Sequence, residues 1–316
     1  MKKLVNNFTV EGYLHSHKLE TRTVQNKDSE NFGKEFIRGT VNVATDEACT
    51  NIVPVEFTYV IATTKSGSKN KTFEVLADII DGKLKTLMEV DKTVATKVKI
   101  NTALNLNEWY DDKGELISKL RAEGGFINLV TELNSNEARR NSFRADMVIT
   151  SVKEVEGNPE KNTPDKVVIG GHIFTFRNEI LPASFSVIKP EGMSYFLGLD
   201  ASSKNPHFAT IGGMQQSLVI KSTKIEANAF GEDIVTETEY TSKDFVVDYC
   251  DPESEGWDTE EGILATDVAK MLSDRQVKLA TMKQRREEGA KSAAPAAPVA
   301  QPGAFPGFWF EGRENK

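Results

Sequence analysis

The chain has few residues of the kinds that build disulfide frameworks and metal sites. Among 316 residues there are 2 cysteines and 4 histidines. Cys49 and Cys250 lie far apart in the sequence and suggest neither a disulfide framework nor a metal site. His15 and His17 could offer two ligands from one strand face, yet no cysteine or carboxylate at ligand spacing completes a zinc set. We expect a reduced protein without a metal or another cofactor.

Signatures of export, membrane insertion and catalysis are missing as well. No apolar run approaches the ~20 residues that span a bilayer, and the first residues lack the apolar stretch of a signal peptide. The pairs Gly124-Gly125, Gly170-Gly171 and Gly212-Gly213 are not phosphate loops, because no Gly-Lys-Ser/Thr follows them. Asp111-Asp112 precedes a turn and resembles a paired acid site only superficially. The sequence predicts a cytoplasmic binding protein that is not an enzyme and has no membrane partner.

An excess of positive charge is also lacking, since the formal net charge is −8. This sum argues against a polyanionic partner, but the charge is unevenly distributed. The first 100 residues hold 15 Lys and Arg against 13 Asp and Glu, so the acidic excess lies further along the chain. A local basic groove matters more for binding a polyanion than the net sum. The modest balance predicts moderate affinity that falls steeply with salt.

Apolar and polar residues alternate with a period of two from residue 8 to about residue 249, which predicts an all-β chain. Residues 1–156 contain five or six such strands and one short helical segment, a pattern that suits a small closed barrel better than a sandwich. The predicted strands are 8–14, 36–45, 73–79, a hairpin over 97–121, and 143–155, with the helical segment at 84–90 and an insertion near 52–71.

A polar segment with two prolines, residues 157–165, predicts a linker between domains or an exposed loop. Beyond it, residues 166–250 are expected to form a second β-barrel-like domain, which could be a degenerate copy of the first. Its predicted strands are 167–176, 183–188, 195–199, 217–230 and 234–247.

The C-terminal part changes to a helical pattern. Residues 251–290 are predicted to contain a helix that begins near Asp258, because Asp258 with Glu261 resembles a capping box and apolar residues follow at helical spacing. Residues 291–316 are rich in Ala, Pro and Gly and predict a flexible tail. Its aromatic tip is a candidate for binding a partner protein or another subunit through Phe305, Phe308, Trp309 and Phe310.

The hairpin over 97–121 carries the strongest functional pattern. If the alternation is unbroken, one face is apolar and the other presents both cations and an aromatic ring. Cations that meet phosphates, beside a flat ring on which a base stacks, are what sequence-tolerant binding of single-stranded nucleic acid requires. The alternative is that the tryptophan fills a barrel end. The residues of this candidate face are Lys97, Lys99, Trp109, Lys119 and Arg121.

Other candidates lie on a neighbouring strand and in loops. Phe36 and Arg38 share the face opposite Ile37 and Val41, so a base could stack on Phe36 with Arg38 on phosphate; the alternative is a face covered by a loop. A polar loop carries a basic cluster without acids between its members, which could contact phosphate or simply be solvated. The cluster and a hairpin-tip lysine complete the set: Lys65, Lys69, Lys71 and Lys113.

Residues 8–155 resemble the oligonucleotide/oligosaccharide-binding (OB) barrel of bacterial and phage single-stranded DNA-binding proteins. The resemblance lies in Phe8-Thr9-Val10-Glu11-Gly12-Tyr13-Leu14, in Phe36 to Thr45, in Phe73 to Asp78 as a third strand before a short helix, and in the hairpin with Trp109-Tyr110-Asp111-Asp112-Lys113-Gly114. It implies an OB-fold, binding of single-stranded DNA, and a role in replication or recombination. It also implies replication or recombination proteins as partners of the tail, and a homo-oligomer as one assembly.

The chain departs from that family in its insertion, its second β domain and its ending, which lacks the acidic proline-phenylalanine tail of typical members. Two rival functions therefore stay open. One is a phage virion structural or decoration protein built from two β barrels. The other is a replication or recombination adaptor whose first barrel docks proteins. If the gene belongs to a phage, the protein is expected in the host cytoplasm.

Overall fold

The computed structural model describes residues 4–64, 66–161, 163–226, 234–251 and 256–292, which form a mostly β chain with a C-terminal helix, as predicted. In chain order the elements are β1 Asn6–Thr23, β2 Glu35–Ala44, β3 Ile52–Ile61, α1 Lys71–Ile80, β4 Lys97–Tyr110, β5 Leu116–Leu129, β6 Asn141–Val155, β7 Lys166–Phe174, β8 Ile180–Val187, α2 Pro190–Leu197, β9 His207–Glu226, β10 Ile234–Cys250 and α3 Ala265–Ser292.

The first five strands close into a barrel. They lie in the order β2-β3-β5-β4-β1, and an additional β1–β2 pairing joins the ends of that order. The β3–β5 contact is parallel, while the other neighbours are antiparallel. Helix α1 connects β3 with β4. This OB-like unit, called barrel one, confirms the predicted closed barrel, but the helix between its third and fourth strands is α1 and not the predicted segment 84–90.

Strands β6 to β10 form barrel two with the same connectivity. The order is β6-β7-β8-β10-β9, an additional β6–β9 pairing closes it, β8 and β10 are parallel, and α2 connects β8 with β9. The sequence grouped β6 with the first barrel, but its pairing with β7 and β9 places it in the second. The segment 157–165 therefore connects two strands of barrel two, and only long-range pairing could show this.

The two barrels join through antiparallel pairing of their first strands, at a seam where Phe8 lies opposite Phe143. The side chain of Asn6 bonds both the N–H and the C=O of Leu104 on β4, at 2.9 Å each. The side chain of Asn141 does the same with Gln215 on β9, at 3.1 and 2.6 Å. Equivalent contacts therefore occur in both barrels, as expected if an approximate twofold axis relates them. They support the prediction that barrel two resembles barrel one.

Phenylalanines from both barrels meet beneath the seam. The rings of Phe8 and Phe143 lie 6.3 Å apart edge to face, Phe143 stacks on Phe185 at 5.3 Å, and Phe245 contacts all three. All four side chains are buried within one continuous hydrophobic core. The barrels therefore share their interior packing as well as a strand pairing.

Helix α3 packs on the outside of barrel two and reaches barrel one. Val268 and Met271 belong to a second buried cluster with Val148, Phe174 and Phe208. The helix begins at Ala265, later than predicted. Asp258 still acts as a cap, because its carboxylate accepts a hydrogen bond from the Ala265 N–H at 3.0 Å across the intervening loop.

Two predicted strands are helices. Residues 73–79 lie in α1, where the buried residues Thr72, Leu76 and Ile79 recur at the three-to-four spacing of a helix and Asn70 accepts a hydrogen bond from the Thr72 N–H. Residues 195–199 overlap α2, which begins at Pro190, a favoured first helical residue. In both cases the apolar run is too short for its periodicity to distinguish a helix from a strand.

The third strand of barrel one lies in the supposed insertion. Strand β3 occupies Ile52–Ile61, with Val53, Val55 and Phe57 buried. The segment 84–90, predicted helical, is a series of turns. Among the described residues, no helix has the length and apolar character required to cross a membrane.

Candidate nucleic-acid interface

Strand β4 alternates without interruption, which sets the face of each hairpin residue. Trp109 lies opposite Ile117, Asn107 opposite Lys119, and Asn105 opposite Arg121. Since directly opposed residues point to the same side of a sheet, Trp109, Lys119 and Arg121 share the outer face, as predicted. A register shift occurs further along, where Gly124 and Gly125 take positive φ values of 71° and 95° in β5.

Lys97 and Lys99 lie on the same outer face, but far from Trp109 along β4. Lys97 is 12 residues from Trp109 on one strand, roughly 40 Å at the rise of a β-strand. The Lys99 ammonium pairs with the buried Glu11 carboxylate at 3.0 Å, and the Lys97 ammonium donates to the Thr131 carbonyl at 3.2 Å. The structure therefore does not bring these two lysines to the indole, and Glu11, the partner of Lys99, was missed.

Trp109 presents its ring to solvent beside a cation. The residue is 38% exposed, and the Lys119 ammonium lies 5.6 Å from the centroid of the indole. The opposite face of the hairpin packs on α3, where Arg275 pairs with Glu108 and the Tyr110 hydroxyl donates to the Leu279 carbonyl at 3.3 Å. Helix α3 thus supports the hairpin from behind and leaves the indole accessible.

The tip of the hairpin is well ordered by local hydrogen bonds. One Asp111 carboxylate oxygen accepts from the N–H of Lys113 at 2.9 Å and of Glu115 at 2.8 Å. Arg286 of α3 donates to the Asp111 carbonyl. Lys113 is exposed at this tip, and its contact with phosphate stays a prediction.

A second aromatic and basic group, the β2–β3 patch, consists of Phe36, Arg38 and Tyr59. The rings of Phe36 and Tyr59 lie 4.9 Å apart, and Arg38 pairs with Glu20 at 2.6 Å. Hydrogen bonds from Arg22 and Arg38 lower the pKa of Glu20. Tyr59 was missed because its strand was read as an insertion, although Val53, Val55 and Phe57 before it alternate clearly.

Lys69 and Lys71 lie in the chain segment that follows β3 and leads into α1. Lys69 forms an isolated bridge with Thr63 and lies 3.7 Å from the Glu74 carboxylate. Lys71 is the exposed first residue of α1. Several predicted site residues lie outside the described residues, and their roles stay predictions: Lys65, Phe305, Phe308, Trp309 and Phe310.

The hairpin residues and the β2–β3 patch lie on the same outer face, at opposite ends of it. Between them runs a row of paired residues, Thr40, Glu56 and Glu123, on β2, β3 and β5. Glu123 holds Arg121 at 2.7 Å, and Glu56 accepts a hydrogen bond from Thr40 at 2.7 Å. The outer face is therefore basic and aromatic at both ends and acidic in the middle, which the sequence did not predict.

The histidines give no sign of metal chemistry. Burial, and to a smaller extent the nearby Arg275, lower the pKa of His172. Its Nδ1 is buried without a hydrogen-bond partner, so a neutral structural histidine fits best. Within the described part of the chain, no group of three His, Cys, Asp or Glu side chains could hold a metal ion.

Fold and surface together define a two-barrel β protein with aromatic and basic side chains at both ends of one outer face. The chain belongs to the YorF family, whose model matches residues 4–279. No curated protein matches it. Its structure is similar to that of a deletion mutant of the single-stranded DNA binding protein from Thermus aquaticus, with a TM-score of 0.45 and 12% identity over 79% of this chain and 95% of the other.

Proposed function

We propose that the chain binds single-stranded DNA with little sequence preference. The observation that carries this proposal is the exposed Trp109 indole beside the Lys119 ammonium, 5.6 Å from its centroid. A base can stack on an exposed ring whatever its identity, while a neighbouring cation neutralises phosphate. In OB barrels the face of the second and third strands and the loop between the fourth and fifth commonly contact ligand, and the two aromatic groups lie at those places.

From this binding activity we propose a role in DNA replication or recombination, in which the protein coats unwound DNA strands. The protein belongs to a bacterium or a phage and acts in the bacterial cytoplasm. We propose a binding protein and not an enzyme, with association between copies and contacts through the aromatic tail as further parts of the proposal. If the chain does not bind DNA, the two alternative functions, a virion protein or a docking adaptor, are favoured.

Replacing Trp109 by alanine is expected to weaken binding of an oligo-dT strand about 5- to 150-fold, because one base–aromatic stack contributes ~1–3 kcal/mol. Fluorescence anisotropy of a labelled oligonucleotide at low salt measures it. Met88→Ala is the control, since Met88 is 72% exposed and lies in the turns next to the start of β4, at the far end of that strand from Trp109. Equal affinities of wild type and Trp109→Ala would show that the indole is not the platform, and no binding by wild type at low salt would overturn the proposal.

Removing the acid in the middle of the face is expected to have the opposite effect. Glu123→Gln deletes a negative charge and releases Arg121, which Glu123 now holds at 2.7 Å. Affinity for oligo-dT should rise roughly three- to tenfold at low salt, with a steeper salt dependence, because one more cation meets phosphate. Titrations at several salt concentrations test this, with Glu132→Gln in an exposed loop as the control. If affinity and salt slope are both unchanged, the DNA strand does not pass Glu123.

A further inference from the structure

The turn between β7 and β8 carries an exposed aromatic ring beside an exposed cation. Phe176 is 80% exposed, and the guanidinium carbon of Arg177 lies 5.2 Å from the centroid of its ring. In the part of the chain that the structure describes, no carboxylate forms an ion pair with Arg177. A ring next to a cation without a carboxylate partner is the combination that binds a base and its phosphate.

The turn is held in one shape from several sides. The Thr175 hydroxyl accepts hydrogen bonds from the N–H groups of Arg177 at 3.2 Å and Glu179 at 3.1 Å. Asn178 has a φ of 60°, a left-handed conformation that asparagine tolerates. The Glu179 carboxylate pairs with Lys278 of α3 at 3.2 Å. Phe176 therefore projects from a preorganised turn, which reduces the ordering cost of binding a ligand on it.

This turn belongs to barrel two but borders the outer face of barrel one. The turn and this outer face line one groove between the barrels. On the side of barrel one, the groove is lined by residues of β1, β3, β4 and β5. The groove residues that matter here are Asn6, Thr58, Asn105, Glu123, Phe176 and Arg177. Since Glu123 is in the acidic middle of the face, the turn lies between the β2–β3 patch and the hairpin. It supplies a ring and a cation without a carboxylate partner, whereas the nearby cation of barrel one, Arg121, is paired with Glu123.

We propose that Phe176 and Arg177 form part of the single-stranded DNA site on barrel one, supplied by barrel two. A base of the strand stacks on Phe176, and an adjacent phosphate pairs with Arg177. This inference rests on the proposed function and adds a specific contact to it. Arg177 of barrel two then offsets the negative charge in the middle of the face of barrel one. A single DNA strand in the groove therefore contacts both barrels.

The test compares two turn variants with matched controls, using the full chain and a labelled oligo-dT. Phe176→Ala should raise the Kd about 5- to 150-fold through loss of one stack. Arg177→Gln should reduce the slope of log K against log salt by about 0.7, the value for one phosphate contact on a single strand. The controls are Met88→Ala and Lys153→Gln, two exposed residues outside the groove. Unchanged thermal midpoints would exclude misfolding, as expected for two exposed positions.

A second measurement locates the base. An oligo-dT carrying 5-iodouracil, irradiated in the complex, should cross-link to the peptide that contains Phe176, and the Phe176→Ala variant should lose that product. If Trp109→Ala weakens binding while both turn variants bind like wild type and no cross-link forms at Phe176, this inference is wrong and the proposed function stands. If wild type binds no oligo-dT at low salt, both are wrong.

Discussion

Phe143→Ala is expected to lower the free energy of unfolding by about 3–5 kcal/mol, the range for truncating a buried phenylalanine. Phe143 lies at the seam and contacts the rings of Phe8, Phe185 and Phe245, which come from both barrels. The cavity left by its ring would be bordered by these three rings, which are themselves packed against one another and cannot easily fill it. The loss should be felt by both barrels in a single transition.

Chemical denaturation followed by circular dichroism measures this effect. Met88→Ala serves as a control and should change stability by less than ~0.5 kcal/mol, as surface substitutions usually do. Two separate transitions in wild type, only one of which moves in Phe143→Ala, would contradict the idea that the barrels share one core. A change under 1 kcal/mol would contradict the tight packing of the aromatic cluster.

The second large effect is expected at the contact between α3 and the hairpin. Arg275 and Glu108 are only 12% and 11% exposed, and Glu108 also accepts a hydrogen bond from the Ser118 hydroxyl at 3.1 Å. Arg275→Ala leaves the Glu108 carboxylate with little water and no cation. Breaking a buried ion pair by removing one partner costs about 3–5 kcal/mol, so stability should fall by that order.

Lys278→Ala is the matched control for Arg275→Ala. Lys278 lies on the same helix and pairs with Glu179, but both partners are largely exposed, and such pairs contribute about 0–1 kcal/mol. Comparable losses of stability in the two variants would show that the burial of the Glu108–Arg275 pair is unimportant. Loss of the Arg275 contact should also loosen the support behind Trp109 and weaken oligo-dT binding.

Much of barrel one could be predicted because its signals are local. The alternation around Val98, Ile100 and Leu104 sets the inner face of β4 correctly, and all three are buried. The same alternation places Trp109, Lys119 and Arg121 together on the outer face. These assignments need only the period of a strand and the geometry of a hairpin.

The predictions that were wrong depend mostly on contacts between residues far apart in the sequence. Lys99 looked available for phosphate, but its partner Glu11 is brought to it by the pairing of β1 with β4. The grouping of β6 depends on its pairing with β9, which no local pattern reveals. Phe176 read as part of a strand, yet the chain has already turned at Thr175 and leaves the ring in solvent. The short apolar run 73–79 was predicted to be a strand and is part of α1, because a run of this length does not by itself distinguish the two periods.

The way the halves are joined also bears on how far they can diverge. The connection uses main-chain groups of β1 and β6, the two asparagines and a shared set of phenylalanines, and it makes no demand on side chains that face outward elsewhere. Each half can therefore change its outward residues independently while the architecture persists. The asparagine contact shows this tolerance, because the same pair of hydrogen bonds is made to Leu104 in one half and to Gln215 in the other.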